Sequence, residues 1–304
     1  MIEFGFAVPP GDREMGRVDR ATFVSDLDRL MAVAGPIFES IWVSDHLMEG
    51  DRYRLEPWTQ LTWLAARVPN VRLGHNVLAN SYRHPALLAK MAASLQALTE
   101  GRFLLGYGAG WLEAEYRAYG FPFPSTRERI ARMDEALRLI RTMWTQAPAT
   151  FEGEWYRLED AWCEPRPDPV PEILIGGSGE RYLLRAVAEH ADWWLSYADA
   201  PEVQRRKLAV LADHCLAVGR DPASIRKAVP WTVYLHRDRA RARAWAGSAV
   251  EGPRPAIAAD PAELRDRIRE AAELGFDMVH LRFAGMLDTT DVRLFADDVL
   301  PAFR

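Results

Sequence analysis

A short apolar run followed by a longer amphipathic segment recurs along the whole chain, and this alternation limits the possible fold more than any other feature. The runs are IEFGFAV (2–8), SIWVS (40–44), VRLGHNVLAN (71–80), RFLLGYG (102–108), EILIGG (172–177), DWWLS (192–196), AVPWTVYLH (228–236) and DMVHLRF (277–283). Between them lie segments of helical period, among them PWTQLTWLAARV, PALLAKMAASLQAL, ERYLLRAVAEHA and PAELRDRIREAAELG. Several runs are continuously apolar, as strands buried on both faces of a parallel sheet should be. Eight such units in 304 residues predict a (β/α)₈ barrel first and an open doubly wound sheet second. With no self-similar repeat and no low-complexity tract, residues 1–304 read as a single domain.

Two stretches depart from the bare repeat. FPFPSTRERIARMDEALRLIRTMW (121–144) is a long helix with a capping-box start, Ser125 followed by Glu128. FEGEWYRL, with aromatic residues about Gly153, reads as a hairpin, and four prolines after it read as an extended connection. Together they predict an insertion at about 121–171, between strands four and five, placed to act as a lid or a subunit contact. AGSAVEGPRPAIAADP (246–261) reads as a loop before the last helix–strand unit.

The net charge of −5 argues against a nucleic-acid or anionic-membrane surface. No apolar run approaches the ~18 residues of a membrane helix. MIEFGFAVPP has no basic n-region and no long h-region, so no secretory leader is expected. Cys163 and Cys215 read as reduced, buried thiols. A cytoplasmic protein is the resulting expectation.

In a barrel, function gathers at the carboxyl ends of the strands. Those ends carry Pro9-Pro10, Asp45-His46, Asn80 with Tyr82-Arg83-His84, the GYGAGW turn, Gly176 to Gly179, Ser196-Tyr197, His236 and Arg282. GYGAGW has alternate glycines, yet Trp111 stands where a dinucleotide fingerprint needs its third glycine, so it is not a Rossmann loop. IGGSGERYLL is a strand, a glycine-rich turn and a helix start, and Gly177, Ser178 and Gly179 would suit a phosphate, with Arg181 as a nearby cation. His46 is placed for acid–base work, against a structural histidine capped by Asp45. His46, His75 and His84 lack metal-ligand spacing, and no metal is expected. Glu113 and Glu115 point about 200° apart on a helix and read as solvated charge, which removes a glycosidase pair. Trp111, Tyr197 and Trp231 are candidates to flank an apolar pocket. Arg282 would meet either an anionic ligand or a structural salt bridge.

Four motifs in order carry a family likeness: SIWVSDHL; VRLGHNVLANSYRHPALLAKMAASLQALTEGRFLLGYGAGWLEAEYRAYGFPF; FEGEWYRL; and PEILIGGSGERYLLRAVAEHADWW. Through them the chain resembles the luciferase-like, flavin- or deazaflavin-dependent oxidoreductases over essentially its whole length, and most of all their F420-dependent subgroup. The resemblance implies a barrel with an inserted region, often dimeric, and a cofactor ring over its mouth. It implies a non-prolyl cis peptide at Asn76–Val77 behind the ring, Gly108 in the turn that lines ring and substrate pocket, and a phosphate turn at 177–179. It places His46 beside the reactive ring edge, and Asp45 where luciferases carry another histidine, which disfavours aldehyde luminescence. Sugar-phosphate dehydrogenases of this family have a glutamate proton donor where this chain has Trp111. A small apolar or aromatic substrate is therefore expected instead, with hydride transfer to or from coenzyme F420. The alternatives are a reduced-FMN monooxygenase fed by a separate reductase, and a flavin-binding protein without turnover.

Overall fold

The computed structural model describes residues 2–252 and 254–304. The eight predicted runs form eight parallel barrel strands: β1 Glu3–Ala7, β2 Ser40–Val43, β3 Arg72–His75, β4 Phe103–Gly108, β5 Ile173–Gly176, β6 Trp193–Leu195, β7 Arg226–Leu235 and β8 Met278–Phe283. They pair in chain order, and β8 pairs with β1 to close the ring. The closed (β/α)₈ barrel is thus the first of the two architectures the alternation allowed. β3 is interrupted after His75 and resumes at Leu78–Ala79 against β4.

Period two along each strand divides the residues between two cores. On β8, Val279, Leu281 and Phe283 face the helical shell, whereas Met278 packs inside the barrel with Trp42, Leu104, Leu174, Trp193, Leu195 and Ala228. Trp42 fills the barrel axis. Its ring stacks on His280 at 4.4 Å, and its Nε1 donates to Ser40 Oγ at 2.8 Å. The space for it comes from Gly5 and Gly74, where a Cβ would stand 2.7–2.8 Å from the indole. Below this plug, Glu3 pairs with both Arg226 and Arg72 at the amino ends of the strands.

Helix starts follow local chemistry. Glu56 caps Pro57–Arg67 by accepting from Thr59 N at 2.7 Å, and Asp260 caps Pro261–Glu273 through Glu263 N at 2.9 Å. Ser125 caps Thr126–Thr145 as the sequence predicts, but the Glu128 carboxylate turns to Arg132 instead of closing the box. That helix packs on Pro85–Leu98 and Leu183–His190, and so fills the regular crossover place between β4 and β5. What is added to the repeat is the antiparallel hairpin Ala149–Glu152 and Arg157–Ala161 with its proline-rich link.

The loop expected at 246–261 is corrected in part. Ile257–Ala259 is a short strand parallel to β7, too brief to show a period in sequence, and Pro253 lies outside the described residues. Cys163 and Cys215 are free and buried. Among the described residues no helix is long and apolar enough to cross a membrane.

Candidate active site

The carboxyl ends of β2 and β4 bring together a histidine and a carboxylate. Glu115 Oε2 lies 2.9 Å from His46 Nδ1, and its Oε1 accepts the Met48 N–H at 3.0 Å. The Tyr82 hydroxyl donates to Oε2 at 3.1 Å. Glu115 is only 1 % exposed. Burial works against its charge, yet hydrogen bonds from His46, Met48 N–H and Tyr82 hold its carboxyl below the ordinary value, so it is ionised at neutral pH. Burial and the Glu115 charge push the Tyr82 hydroxyl well up, so it remains a donor.

This corrects the reading of both glutamates as solvated charge. Glu113 is half exposed and pairs with Arg117, as expected. Two positions further on, the helix turns Glu115 away from solvent and into the mouth. The angular separation that removes a glycosidase pair is what gives the two carboxylates different environments. Trp111, 66 % exposed, stands edge-on to His46 with ring centroids 5.7 Å apart.

Asp45 does not cap His46. It accepts the Ala79 N–H at 2.7 Å and pairs with Arg83 at 3.2 Å, and Arg83 also meets Glu56. Burial raises its carboxyl above the ordinary value in spite of Arg83. Asp45 therefore ties β2 to the resumed third strand, a positioning duty.

The Asn76–Val77 peptide is cis. Val77 sits between β4 and β5, and Gly108 and Gly176 leave the room it occupies: a Cβ on either would stand 2.7–2.8 Å from a Val77 methyl. Asn76 Oδ1 is buried with no hydrogen-bond partner among the described residues. Beside it, the Tyr107 hydroxyl donates to Asn80 Oδ1 at 2.6 Å, and Asn80 Nδ2 donates to the Tyr156 hydroxyl at 3.3 Å, which links the hairpin to the mouth.

The glycine-rich turn is narrower than the sequence predicts. Gly177 N–H donates to Leu195 O at 3.0 Å, and Gly177 O accepts from Trp194 Nε1 at 2.8 Å. The Gly177 amide is thus committed to the sheet and cannot bind a phosphate. Among the described residues, the amides of Ser178 and Gly179 have no protein acceptor. Arg181 lies over the Tyr182 ring at 5.0 Å.

Trp231 leaves the list of pocket residues. It is in register with Leu281 and packs on the outer core, because only the opposite parity of β7 faces the barrel interior. Tyr197 is covered by the Arg254 guanidinium at 3.5 Å. Arg282 is on the inward parity of β8, two residues above His280, and no ion-pair partner is found for it among the described residues. His75 faces outward, stacked on Trp58, and His84 caps the helix Pro85–Leu98 through Ala86 N. Asp134, Glu189 and His190 cluster on the outer helices, where Arg138 and Arg185 balance the acids.

A closed parallel barrel with an acid–base pair at its carboxyl mouth is the framework of a (β/α)₈ enzyme. The chain belongs to the luciferase-like monooxygenase family, an oxidoreductase class whose model matches residues 2–291. An F420-dependent glucose-6-phosphate dehydrogenase of Kineococcus radiotolerans is 34% identical over 84% of this chain and 77% of its own length. An F420-dependent hydroxymycolic acid dehydrogenase of Mycobacterium tuberculosis is 32% identical over 75% of this chain and 66% of its own. Among solved structures, an F420-dependent secondary alcohol dehydrogenase in complex with an F420–acetone adduct covers all of both chains, with a TM-score of 0.84 and 18% identity.

Proposed function

We propose that this protein is an F420-dependent oxidoreductase that moves a hydride between the deazaflavin and a small organic substrate at the carboxyl mouth of the barrel. The observation that carries the reading is the His46–Glu115 pair at the mouth, in a chain whose relatives at 32–34% identity are named F420-dependent dehydrogenases. The residues present suit such a ring. Among the described residues Asn76 Oδ1 is a buried acceptor without a partner and the amides of Ser178 and Gly179 have no acceptor, which suits a phosphate, while Val77 provides an apolar backing. When bound, the deazaflavin supplies the two-electron hydride chemistry.

The chain's own share is proton handling and orientation. With Nδ1–H of His46 donated to the Glu115 carboxylate, Nε2 is the nitrogen left to face the mouth. It takes a proton from a hydroxyl as an alcohol is oxidised and returns it as a carbonyl is reduced. Glu115 fixes the tautomer and orientation of the ring in the way of a triad carboxylate. Trp111 provides an aromatic wall beside the ring of His46. It has no acid to offer, and the proton work falls to His46.

A reduced-FMN monooxygenase is the second reading, favoured by the family description itself. A pair of fluorescence titrations of the purified protein separates the two. Micromolar binding of F420 with much weaker binding of FMN is expected. Tight FMN binding with none of F420 sinks the hydride-transfer reading, and binding of neither sinks both. A homodimer in the cytoplasm completes the proposal, with sedimentation as the check on assembly.

A further inference from the structure

Three arginines converge on the side of the mouth formed by β8, β1 and β2. Arg282 points inward from β8, beside the end of β1, since Phe6 pairs with Leu281. Arg13 Nη2 donates to the carbonyl of Val8, the residue just after β1, at 2.6 Å. The loops after β1 and β2 are stitched by Asp12 N to Tyr53 O at 2.8 Å and Leu55 N to Pro10 O at 2.9 Å, which brings Arg54 against the same loop. Arg54 Nη2 then reaches the inward Ser44 Oγ at 3.2 Å, two residues before His46.

Arg13 and the Arg54 side chain are buried and Arg282 is partly buried, and all three are under-satisfied. Arg13 is 7% exposed and the Arg54 side chain 6%. Arg13 Nη1, Arg54 Nε and Arg282 Nε are buried with no hydrogen-bond partner among the described residues. Among the described residues only Glu49 forms an ion pair with any of the three, through Arg54 at 2.6 Å, and it is shared with Arg52. Glu14 is exposed and forms no ion pair with the three among the described residues, though its charge and that of Glu49 favour the charged forms of Arg13 and Arg282. Burial first, then the neighbouring guanidinium charges, push Arg13 well below the ordinary arginine value. A buried donor left unpaired is costly, and more so where it is charged. Such a cluster is best explained by a ligand that completes it.

We propose that Arg13, Arg54 and Arg282 form a subsite for an oxyanion, a carboxylate or phosphate, carried by the substrate. The inference rests on the reading of the mouth as a hydride-transfer site and narrows its substrate to small anionic alcohols or ketones. It replaces the purely apolar substrate that Trp111 suggests. The phosphate turn follows β5, across the ring from β1, so the two anion positions are distinct. Planar guanidinium forks suit both oxyanions by bidentate hydrogen bonds.

The test is thermal unfolding of the full chain in zwitterionic buffer at an ionic strength fixed with sodium chloride. Malonate and inorganic phosphate are the probes, each with and without F420. The wild type is expected to show a saturable rise in Tm that persists with F420 bound, and the more potent probe assigns carboxylate or phosphate. In Arg282→Met the midpoint should be at least tenfold weaker. Without anion that variant should melt no lower than wild type, because a partly buried charge with no ion pair among the described residues has been removed. No saturable rise with either probe overturns the proposal, and so does an Arg282→Met response equal to wild type. The wild-type titration alone decides should the variant misfold. Loss of the response once F420 is bound would give the cluster to the cofactor, overturning the substrate assignment. Failure of F420 to bind at all refutes the hydride reading while the anion result stands.

Discussion

The two ends of this barrel are built from the same strands but differ in how many polar groups they leave unsatisfied: among the described residues the plug leaves His280 Nδ1, and the mouth leaves several. At the amino end, Glu3 binds Arg72 and Arg226, and the Trp42–His280 stack above it seals the axis. His280 is held neutral there, with its value lowered by burial to about 3. At the carboxyl end, a few residues away, Asn76 Oδ1 and atoms of Arg13, Arg54 and Arg282 are buried without partners among the described residues, and His46 faces outward from its carboxylate. The closed end spends its side chains on packing. The open end holds groups at a cost that a ligand can offset. Stability and chemistry are thereby separated along one axis.

The separation can be attacked from either end. The largest effect is expected at the mouth: His46→Ala should reduce turnover about 10²–10⁴-fold, the usual contribution of a positioned acid–base group, with Tm nearly unchanged. Steady-state kinetics with calorimetry on the same preparation checks this, and a large loss of stability would show that the mouth also holds the fold. At the closed end, Trp42→Ala should cost about 3–5 kcal/mol of stability, the range for deleting a buried aromatic. Denaturant unfolding measures it. If F420 affinity in the folded fraction also collapses, the two ends are coupled and the comparison fails.

Glu115→Gln sharpens the picture. Loss of a charged hydrogen bond, about 1.5–3 kcal/mol, predicts a fall in turnover of about tenfold to a hundredfold, and the pH–rate profile should move because the imidazolium loses its counter-charge. A merely structural Glu115 would leave that profile in place. The same variant has a stability signature. The folded-state value of Glu115 lies below the unfolded one, so its pairing stabilises above the ordinary carboxylate range and is lost as pH falls through the lower, folded value. Melting curves between neutral and acid pH should show that component in wild type and not in Glu115→Gln. The smallest effect belongs to Glu3→Gln, about 0–1 kcal/mol, because the ion pairs below the plug are partly open to water. A large penalty there would mean that charge, and not packing, closes the amino end.

Much of the fold is legible before any coordinates. Seven of the eight barrel strands fall within the predicted apolar runs, because a strand buried on both faces needs continuous Val, Ile, Leu and aromatic residues over a few positions, and β7 begins two residues early, at the polar Arg226 and Lys227. The caps at Glu56 and Asp260 have their signal in the residues just before each helix. Ile257–Ala259 was missed because three residues show no period. The site is legible less evenly. His46 is marked by its place at the end of β2, and the cis bond by the family likeness. Glu115 carries no mark of its own, since i, i+2 spacing on a helix shows only that the two glutamates point different ways, not that either faces inward. Arg13 and Arg54 lie in loops with no periodic signal at all.

The sequence by itself determines the order of strands and helices, the end of the barrel where chemistry gathers, the His46 position and the glycine-rich turn. Each depends on near neighbours: periodicity, turn chemistry and the residue at a strand's end. Only the tertiary structure decides that Glu115 meets His46, that Gly177 gives its amide to the sheet, that Trp231 faces the helices, and that three arginines meet across β8, β1 and β2. Those facts depend on closure and register, which set how strands distant in the chain stand side by side. Register also turns a residue inward or outward by a single step. No local pattern carries that information, because the partner's distance in sequence does not limit its distance in space.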